Sequence, residues 1–326
     1  MTPVPFLPSV SIPIALPTLD PSLTAPHVPS YQLATHSHPF SPLPRWDGFV
    51  TSFLALPGYF ARFGRREPTD RLQTPYAFAQ GRLGSSLWEI LNSDNEQLRG
   101  FMLTMTAMEA WSPARNPYDF GWVAKHAAAD AAGERVLLVD VGGGRGHALA
   151  RILKENPGIG RSRCMLEDLK ETVEEVEKEG REELEGVRMV GMDFHAAQPV
   201  KRRFLCPRRV VSCSAWGVVT LMCITDALVY HIRRCLHDYS DDESVDILRR
   251  LADAMAPDSR LLIVELIIGD PPSAYQAALD LTMMTISGKE RTLGTWRDIV
   301  ARAGLRVTHV DVVEGGSGVV ECMLAK

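Results

Sequence analysis

The 326-residue sequence lacks the features that mark several large classes of protein. No apolar run is long enough to span a bilayer, and no basic region precedes a continuous apolar core at the N-terminus, so neither a membrane anchor nor a secretory signal is predicted. The formal net charge of −5 gives no basic surface of the kind that binds nucleic acid. The six cysteines form no C-x-x-C pair, which argues against a zinc site or a disulfide framework and favours a cytoplasmic protein with reduced thiols.

Composition divides the chain into three regions. Residues 1–44 hold half of the 22 prolines and one charged residue, Asp20, so we expect a disordered proline-rich leader there. Residues 45–130 carry apolar residues at helical spacing and predict a helical segment. Residues 131–326 alternate apolar runs with amphipathic segments, which predicts an α/β domain with a doubly wound, mostly parallel sheet. Glycines join the last two apolar runs and predict an antiparallel C-terminal edge.

A glycine-rich turn after an apolar run is the most informative stretch of the chain. Its residues are Asp140, Gly142, Gly144 and Gly146. The pattern predicts a strand that ends at the acid, then a tight turn and a helix N-terminus, where a ligand approaches the backbone closely. The dinucleotide fingerprint needs a third glycine at position 147, where this chain has His147. Asp168 ends the next apolar run and suits hydrogen bonds to the hydroxyls of a ribose.

Seven segments give the sequence a family resemblance. They read TPYAFAQG, DVGGGRGH, LEDL, GMDF, RRCLHDYSDDES, LLIVELII and GKERT. In these segments the chain resembles the S-adenosylmethionine-dependent small-molecule O-methyltransferases of the plant caffeate and flavonoid type and of fungal secondary metabolism. The likeness runs from about residue 66 to the end, apart from 202–225. It implies a class I, Rossmann-like methyltransferase fold, S-adenosylmethionine as cofactor and a small hydroxylated aromatic substrate.

The resemblance also implies which residues hold the cofactor. The turn at Asp140, Gly142, Gly144 and Gly146 corresponds to the part around the methionine. Asp168 corresponds to the ribose-binding acid, and Asp193 with Phe194 corresponds to the pair beside adenine. Arg233 matches a basic residue on the strand before the catalytic histidine, although an ordinary surface arginine is an equally good interpretation.

Three further residues correspond to the catalytic set of that family. The resemblance makes His237 the general base and makes Glu265 and Glu290 the acids that orient it. The chemistry is reasonable, because a phenol has a pKa of about 10 and an unperturbed histidine one of about 6.5, so a positioned base must take the proton as the methyl group arrives. Carboxylates beside an imidazole hold its tautomer and stabilise the imidazolium. On the dipeptide alone, His237 would be a satisfied histidine at a strand end.

No metal is predicted at this site. The acids after His237 could suggest a metal cluster, but Ser240 and Glu243 form the S-x-x-E pattern of a capping box, and acids favour a helix N-terminus. Methyl transfer from a sulfonium needs in-line positioning rather than a metal.

The chain departs from the family pattern in two places. The family begins with a winged-helix domain that forms a homodimer and completes the substrate pocket of the partner chain; here 45–130 corresponds to its trailing helices only, and the sequence leaves dimerisation open. Residues 202–225 form an insertion with three cysteines and no acid. A translated intron would explain its abrupt start, and a genuine loop over the pocket is the alternative. We expect the insertion to be disordered or loosely packed, and dispensable.

Three functions remain in order of preference. The first is an O-methyltransferase acting on a phenolic or enolic hydroxyl of a small secondary metabolite. The second is a non-catalytic or impaired relative of the same fold that binds a nucleoside or a partner. The third is a nicotinamide oxidoreductase, against which His147 argues.

Overall fold

The structure is a computed structural model of the chain. It describes residues 47–101, 118–130, 133, 135–193, 226–313 and 317–326. The predicted leader at 1–44, Phe194 and the predicted insertion at 202–225 lie outside the described residues. The predicted domain boundaries at 44 and 130 stay predictions.

A mixed sheet of eight strands forms the centre of the described chain. The strands are β1 Leu138–Val141, β2 Cys164–Asp168, β3 Arg188–Gly191, β4 Val229–Arg233, β5 Arg260–Ile268, β6 Arg291–Thr292, β7 Leu305–Val312 and β8 Ser317–Leu324. Their order is β3-β2-β1-β4-β5-β8-β7, and β6 pairs with β5. Strands β1 to β5 pair in parallel, whereas β8 pairs antiparallel with both β5 and β7. The predicted mostly parallel sheet with an antiparallel C-terminal edge is therefore confirmed.

Helices cover both faces of this sheet. They are α1 Asp47–Phe63, α2 Pro75–Ala79, α3 Leu87–Asn92, α4 Gly121–Ala129, α5 His147–Glu155, α6 Lys170–Glu179, α7 Asp241–Ala254, α8 Ala274–Met284 and α9 Leu293–Arg302. Alternate strand residues point to opposite faces, so Val139 packs with residues of α7 and α9 while Leu138 packs with residues of α4 and α5. The sheet is accordingly doubly wound, as the alternation of apolar runs with amphipathic segments predicts.

Local signals explain where several of these elements begin and end. Helix α7 begins at the capping box that the sequence predicts, in which Ser240 and Glu243 satisfy each other's backbone N–H groups. One bound differs from the prediction. Asp140 lies inside β1 rather than ending it, because β1 continues to pair with both neighbours through Val141. Helix α6 ends at Glu179, and the following Gly180 has a φ of +59°, the left-handed conformation that terminates helices.

The helices before β1 pack onto the segment between α8 and β6. Tyr76 on α2 donates its backbone N–H to the carbonyl of Thr285 at 2.8 Å, and Ser287 donates its hydroxyl to the carbonyl of Asp70 at 3.1 Å. Ile286 is buried in the same apolar cluster as Tyr76 and Leu91. This packing fixes the loop that leads to the GKERT segment.

Candidate active site

The glycine turn adopts backbone conformations that side chains disfavour. Gly142, Gly144 and Gly146 have φ values of +63°, +56° and +73°, in the left-handed region. A Cβ atom on the intervening Gly143 would lie 2.5 Å from Oδ2 of Asp140, so the backbone passes directly over that carboxylate. The turn thus brings main chain and an acidic side chain together at the C-terminal end of β1.

Asp168 lies at the C-terminal end of β2 and touches the same turn. Its Oδ2 accepts a hydrogen bond from the backbone N–H of Gly144 at 2.8 Å, and its Oδ1 accepts one from the N–H of Leu169 at 2.8 Å. Burial raises the pKa of Asp168, and these backbone donors oppose the rise. The side chain of Thr172 also hydrogen-bonds to this carboxylate, which keeps acceptor capacity for a further donor. The structure therefore brings together two of the residues predicted to hold a cofactor.

A buried histidine supports Asp140 from the neighbouring strand. Nδ1 of His231 on β4 lies 2.7 Å from Oδ1 of Asp140, and the two side chains are 0% and 1% exposed. The other carboxylate oxygen, Oδ2, is buried and has no hydrogen-bond partner within the described chain. The pair leaves one oxygen of Asp140 beside the glycine turn and ready to accept a donor.

The remaining cofactor candidates lie at the same edge of the sheet. Asp193 follows β3 by two residues, next to Met192, whose backbone N–H donates to the carbonyl of Asp168 at 2.6 Å. Arg233 ends β4, one residue beyond the pairing of Ile232 with Val141. Because the carboxyl ends of parallel strands meet at one edge, these residues share the edge with the glycine turn.

The predicted base lies on a short 3-10 turn that follows β4. This turn spans Leu236–Asp238 and has His237 at its centre. Nδ1 of His237 lies 3.0 Å from Oε1 of Glu290 and 3.8 Å from Oε2 of Glu265. Nε2 of the same ring lies 3.5 Å from Oδ1 of Asp238. The three residues predicted as a catalytic set therefore converge on one imidazole.

Both glutamates are themselves held in place. Glu265 on β5 is 1% exposed, and its Oε1 accepts the backbone N–H groups of Cys235 and Leu236, each at 2.9 Å. The backbone N–H of Glu290 donates to Oδ1 of Asp280 on α8 at 2.9 Å. Glu265 therefore orients the start of the turn with one oxygen and faces the imidazole with the other.

The electrostatics of the cluster favour a protonated imidazole. Burial lowers the pKa of His237, but the charges of Glu265, Asp238 and Glu290 outweigh it and raise that pKa to about 10. Burial raises the pKa of Asp238 to about 6 and also raises the pKa of Glu265. In the protein without ligands, the imidazolium is thus the prevailing form of His237 at neutral pH.

Cys235 lies on the chain between β4 and the turn that carries His237. The buried thiol of Cys235 has a pKa well above its usual value, because of burial and because of the charges of Asp238, Glu265, Asp168 and Asp140. Those acids come from both groups of side chains, so the thiol is exposed to the negative charge of both.

Sequence reasoning does not identify three residues at or beside this site. Asp238 is one of the acids after His237 that the sequence explains by helix capping, although its position next to His237 is a signal. The pairing of His231 with Asp140 depends on strand register, and Arg291, whose guanidinium donates to the carbonyl of Leu236, has no hydropathy signal that predicts its burial. Across the described ranges, no group of three or more His, Cys, Asp or Glu side chains is arranged to hold a metal ion. None of the helices in those ranges is long and apolar enough to cross a membrane.

Comparison with known sequences identifies close similarities. A sequence model of the O-methyltransferase domain matches residues 219–306, beginning inside the predicted insertion. The methyltransferase pynC of Aspergillus niger is 37% identical over 301 residues, which cover 91% of this chain and 74% of pynC. The O-methyltransferase kntB of the same fungus is 31% identical over 281 residues, covering 85% of this chain and 61% of kntB.

Solved structures show the same fold. OxaC, in a complex with sinefungin and meleagrin, superposes with a TM-score of 0.69 at 22% identity, over 86% of this chain and 64% of OxaC. The mitomycin 7-O-methyltransferase MmcR superposes with a TM-score of 0.60 at 26% identity, over 85% of this chain and 68% of MmcR. The chain thus spans about two thirds of the length of these proteins.

Proposed function

Because the chain belongs to the S-adenosylmethionine-dependent O-methyltransferase family, we propose that it transfers the methyl group of S-adenosylmethionine to a phenolic or enolic hydroxyl of a small secondary metabolite, with His237 as the general base. The observation that carries this proposal is the convergence of Glu265 and Glu290 on Nδ1 of His237. Nε2, which lies 3.5 Å from Oδ1 of Asp238, is then the nitrogen that would receive the proton. The names of kntB and MmcR support oxygen as the acceptor atom.

The residues of the glycine turn fit that cofactor. Asp140 offers a buried, unpartnered carboxylate oxygen that would accept the ammonium of the methionine part. Asp168 would accept the ribose hydroxyls, with Gly144 leaving open space above its Cα atom. By the family resemblance, Asp193 and Phe194 would correspond to the pair beside adenine, and Arg233 would be a further residue of the cofactor site. When bound, the cofactor supplies an electrophilic methyl group on a sulfonium.

The raised pKa of His237 matches the acceptor that we propose. A phenol has a pKa of about 10, so raising the pKa of His237 toward that value lowers the thermodynamic cost of moving the proton from the phenol to the imidazole. The neutral form of the imidazole is the minor form at neutral pH. The carboxylates therefore make the imidazole a stronger base and lower the fraction of the protein in which it is neutral. Turnover should rise with pH, because the neutral fraction rises. Glu265 and Glu290 stabilise the imidazolium that forms as the hydroxyl proton reaches Nε2.

The test is to separate cofactor binding from methyl transfer. Calorimetric titration with S-adenosylmethionine measures binding, and release of S-adenosylhomocysteine across a panel of small phenols and enols measures transfer. The variant His237→Ala should lose at least about a hundredfold in transfer and keep its cofactor affinity. The matched control is His309→Ala, which changes a histidine exposed on β7.

Two outcomes would contradict the proposal. Binding of the cofactor without transfer to any acceptor would make the chain a non-catalytic relative of the family. If His237→Ala retains more than about a tenth of the wild-type rate, His237 is not the general base. Titration with a nicotinamide cofactor tests the third function, and we expect no binding.

A further inference from the structure

We propose that Arg291 is a positioning residue, which holds the turn carrying His237 without touching the imidazole. The inference rests on the proposed function of His237 as the base. It starts from an unusual placement: Arg291 begins β6 and is 1% exposed, although arginine is among the residues least often buried.

All the donor nitrogens of this guanidinium have partners. Nε donates to Oδ1 of Asp241 at 2.8 Å. Nη1 donates to the carbonyls of Leu236 at 2.9 Å and Lys289 at 3.4 Å. Nη2 donates to the carbonyl of Tyr239 at 2.6 Å and to Oγ of Ser244 at 3.2 Å. The charge is compensated by Asp241, so the buried guanidinium is paired as well as hydrogen-bonded.

Two of these acceptors lie on either side of His237. The carbonyl of Leu236 precedes the histidine by one residue, and that of Tyr239 follows it by two. One planar group therefore fixes both ends of the chain segment that presents the imidazole. A lysine has a single nitrogen at the end of its side chain and cannot reach both carbonyls with a fork of this kind.

The residues before Arg291 also contact the backbone of the turn that carries His237. The backbone N–H of Lys289 donates to the carbonyl of His237 at 2.8 Å. A Cβ atom on Gly288 would lie 2.1 Å from that same carbonyl oxygen, so only glycine allows this approach. Glu290 contacts the imidazole itself. Thus Gly288, Lys289 and Arg291 hold the backbone of the turn, while Glu290 holds the ring.

The position of the turn sets the charge environment of His237. The groups that face the ring are Glu265 from β5, Glu290 from the segment before β6 and Asp238 from the turn itself. Arg291 contacts the backbone carbonyls of the turn rather than the ring. If the turn loosens while the positive charge at position 291 stays, the ring moves away from the glutamates and the pKa of His237 falls toward its ordinary value.

The variant Arg291→Lys tests this inference, because lysine keeps the positive charge but lacks the two Nη donors that bind the carbonyls of Leu236 and Tyr239. The matched control is Arg297→Lys, at an exposed position on α9. We expect NMR titration of the imidazole, assigned with His237→Ala, to show a pKa lower by about one unit or more in Arg291→Lys. We expect kcat to fall by at least about tenfold, since a misplacement of 1 Å costs about that much or more. Affinity for S-adenosylhomocysteine should stay within about twofold of the wild-type value.

The outcomes separate positioning from general stability. A lower melting temperature and a lower kcat with an unchanged pKa of His237 would overturn the inference, and so would wild-type values of kcat and pKa. If Arg291→Lys does not fold, Ser244→Ala replaces it, because this change removes one partner of Nη2 together with the hydroxyl that donates to the carbonyl of Leu236 at 3.3 Å. It should shift the pKa of His237 in the same direction by a smaller amount, and no shift would overturn the inference.

Failure of the proposed function is recognised independently. If the wild-type chain methylates no acceptor, the NMR comparison still shows whether Arg291 governs the environment of His237. In that case the proposed function fails, and the NMR titration alone decides whether Arg291 controls the pKa of His237.

Discussion

His231 and Asp140 form a buried pair between adjacent parallel strands, with 2.7 Å between Nδ1 of the histidine and Oδ1 of the acid. The pair fixes Asp140 so that its second oxygen lies under Gly143 in the glycine turn. His231 therefore positions a residue of the proposed cofactor site, although it does not itself reach the edge of the sheet.

The first prediction concerns His231. The variant His231→Leu removes the hydrogen bond to the carboxylate of Asp140 and should lower the free energy of unfolding by about 1–3 kcal/mol. It should also weaken the binding of S-adenosylhomocysteine, because Asp140 is no longer held. His231→Asn, whose amide nitrogen replaces Nδ1, should restore part of both losses. Denaturant unfolding and calorimetry measure them, and equal affinity in the leucine variant would contradict the prediction.

The second prediction concerns the pH dependence of turnover. Because the neutral imidazole is the base, kcat/KM should rise with pH toward the pKa of about 10 of His237. Glu290→Gln removes a carboxylate 3.0 Å from Nδ1, so the rise should move to lower pH by about one unit and the maximum rate should fall. Glu177→Gln on the exposed side of α6 is the control. A profile that is identical in wild type and Glu290→Gln would show that this carboxylate does not govern the base.

The third prediction concerns the glycine turn. Gly144→Val places a branched side chain at a φ of +56° and should weaken cofactor binding by at least about tenfold. Asp168→Ala removes the acceptor for the ribose and for the N–H of Gly144, with a similar result. Gly160→Val is the control, since a Cβ at that glycine meets nothing within 4 Å and its φ is −66°. Calorimetric titration with S-adenosylmethionine measures the affinity of each variant. Unchanged affinity in both site variants would show that the cofactor binds elsewhere.

The fourth prediction concerns stability. The pKa of His237 is raised on folding, so the stabilisation by its imidazolium is complete below the unfolded pKa of about 6.5 and is lost as pH rises through about 10. The wild type should therefore lose stability relative to His237→Gln across this interval, by on the order of a few kcal/mol. Measuring the difference between the two proteins cancels the contribution of buried cysteines, which titrate in the same direction. A difference that does not change between pH 6.5 and pH 10 would refute the raised pKa.

The fifth prediction concerns metals. The proposed chemistry uses an imidazole and carboxylates, so methyl transfer should be insensitive to EDTA. The measurement is the release of S-adenosylhomocysteine before and after dialysis against the chelator. Loss of turnover that magnesium or zinc restores would contradict the mechanism.

Sequence reasoning could predict the parts of this fold that local pattern encodes. The alternation of apolar runs predicts the parallel strands, and the capping box at Ser240 predicts the start of α7. The glycine turn predicts a close backbone approach to a ligand. The placing of His237, Glu265 and Glu290 in one set depended on family resemblance, because residues 53 positions apart meet only through the tertiary fold.

The remaining features depend on information that one sequence does not display. The contact of His231 with Asp140 requires the register of β4 against β1, which periodicity does not give. Arg291 is hydrophilic, so pattern places it at the surface, and only the convergence of backbone carbonyls around it explains its burial. Helix α8 went unpredicted as well, and in the structure it has no fully buried residue to produce a clear amphipathic stripe.

Strand β4 links the two groups of residues in the proposed active site. His231 in its middle supports Asp140 beside the glycine turn, and the chain leaving its end carries His237 to the two glutamates. A deletion of one residue of β4 before His231 would turn His231 away from Asp140 and displace His237 at the same time. A single change in this strand would therefore affect both the proposed cofactor binding and the proposed proton removal.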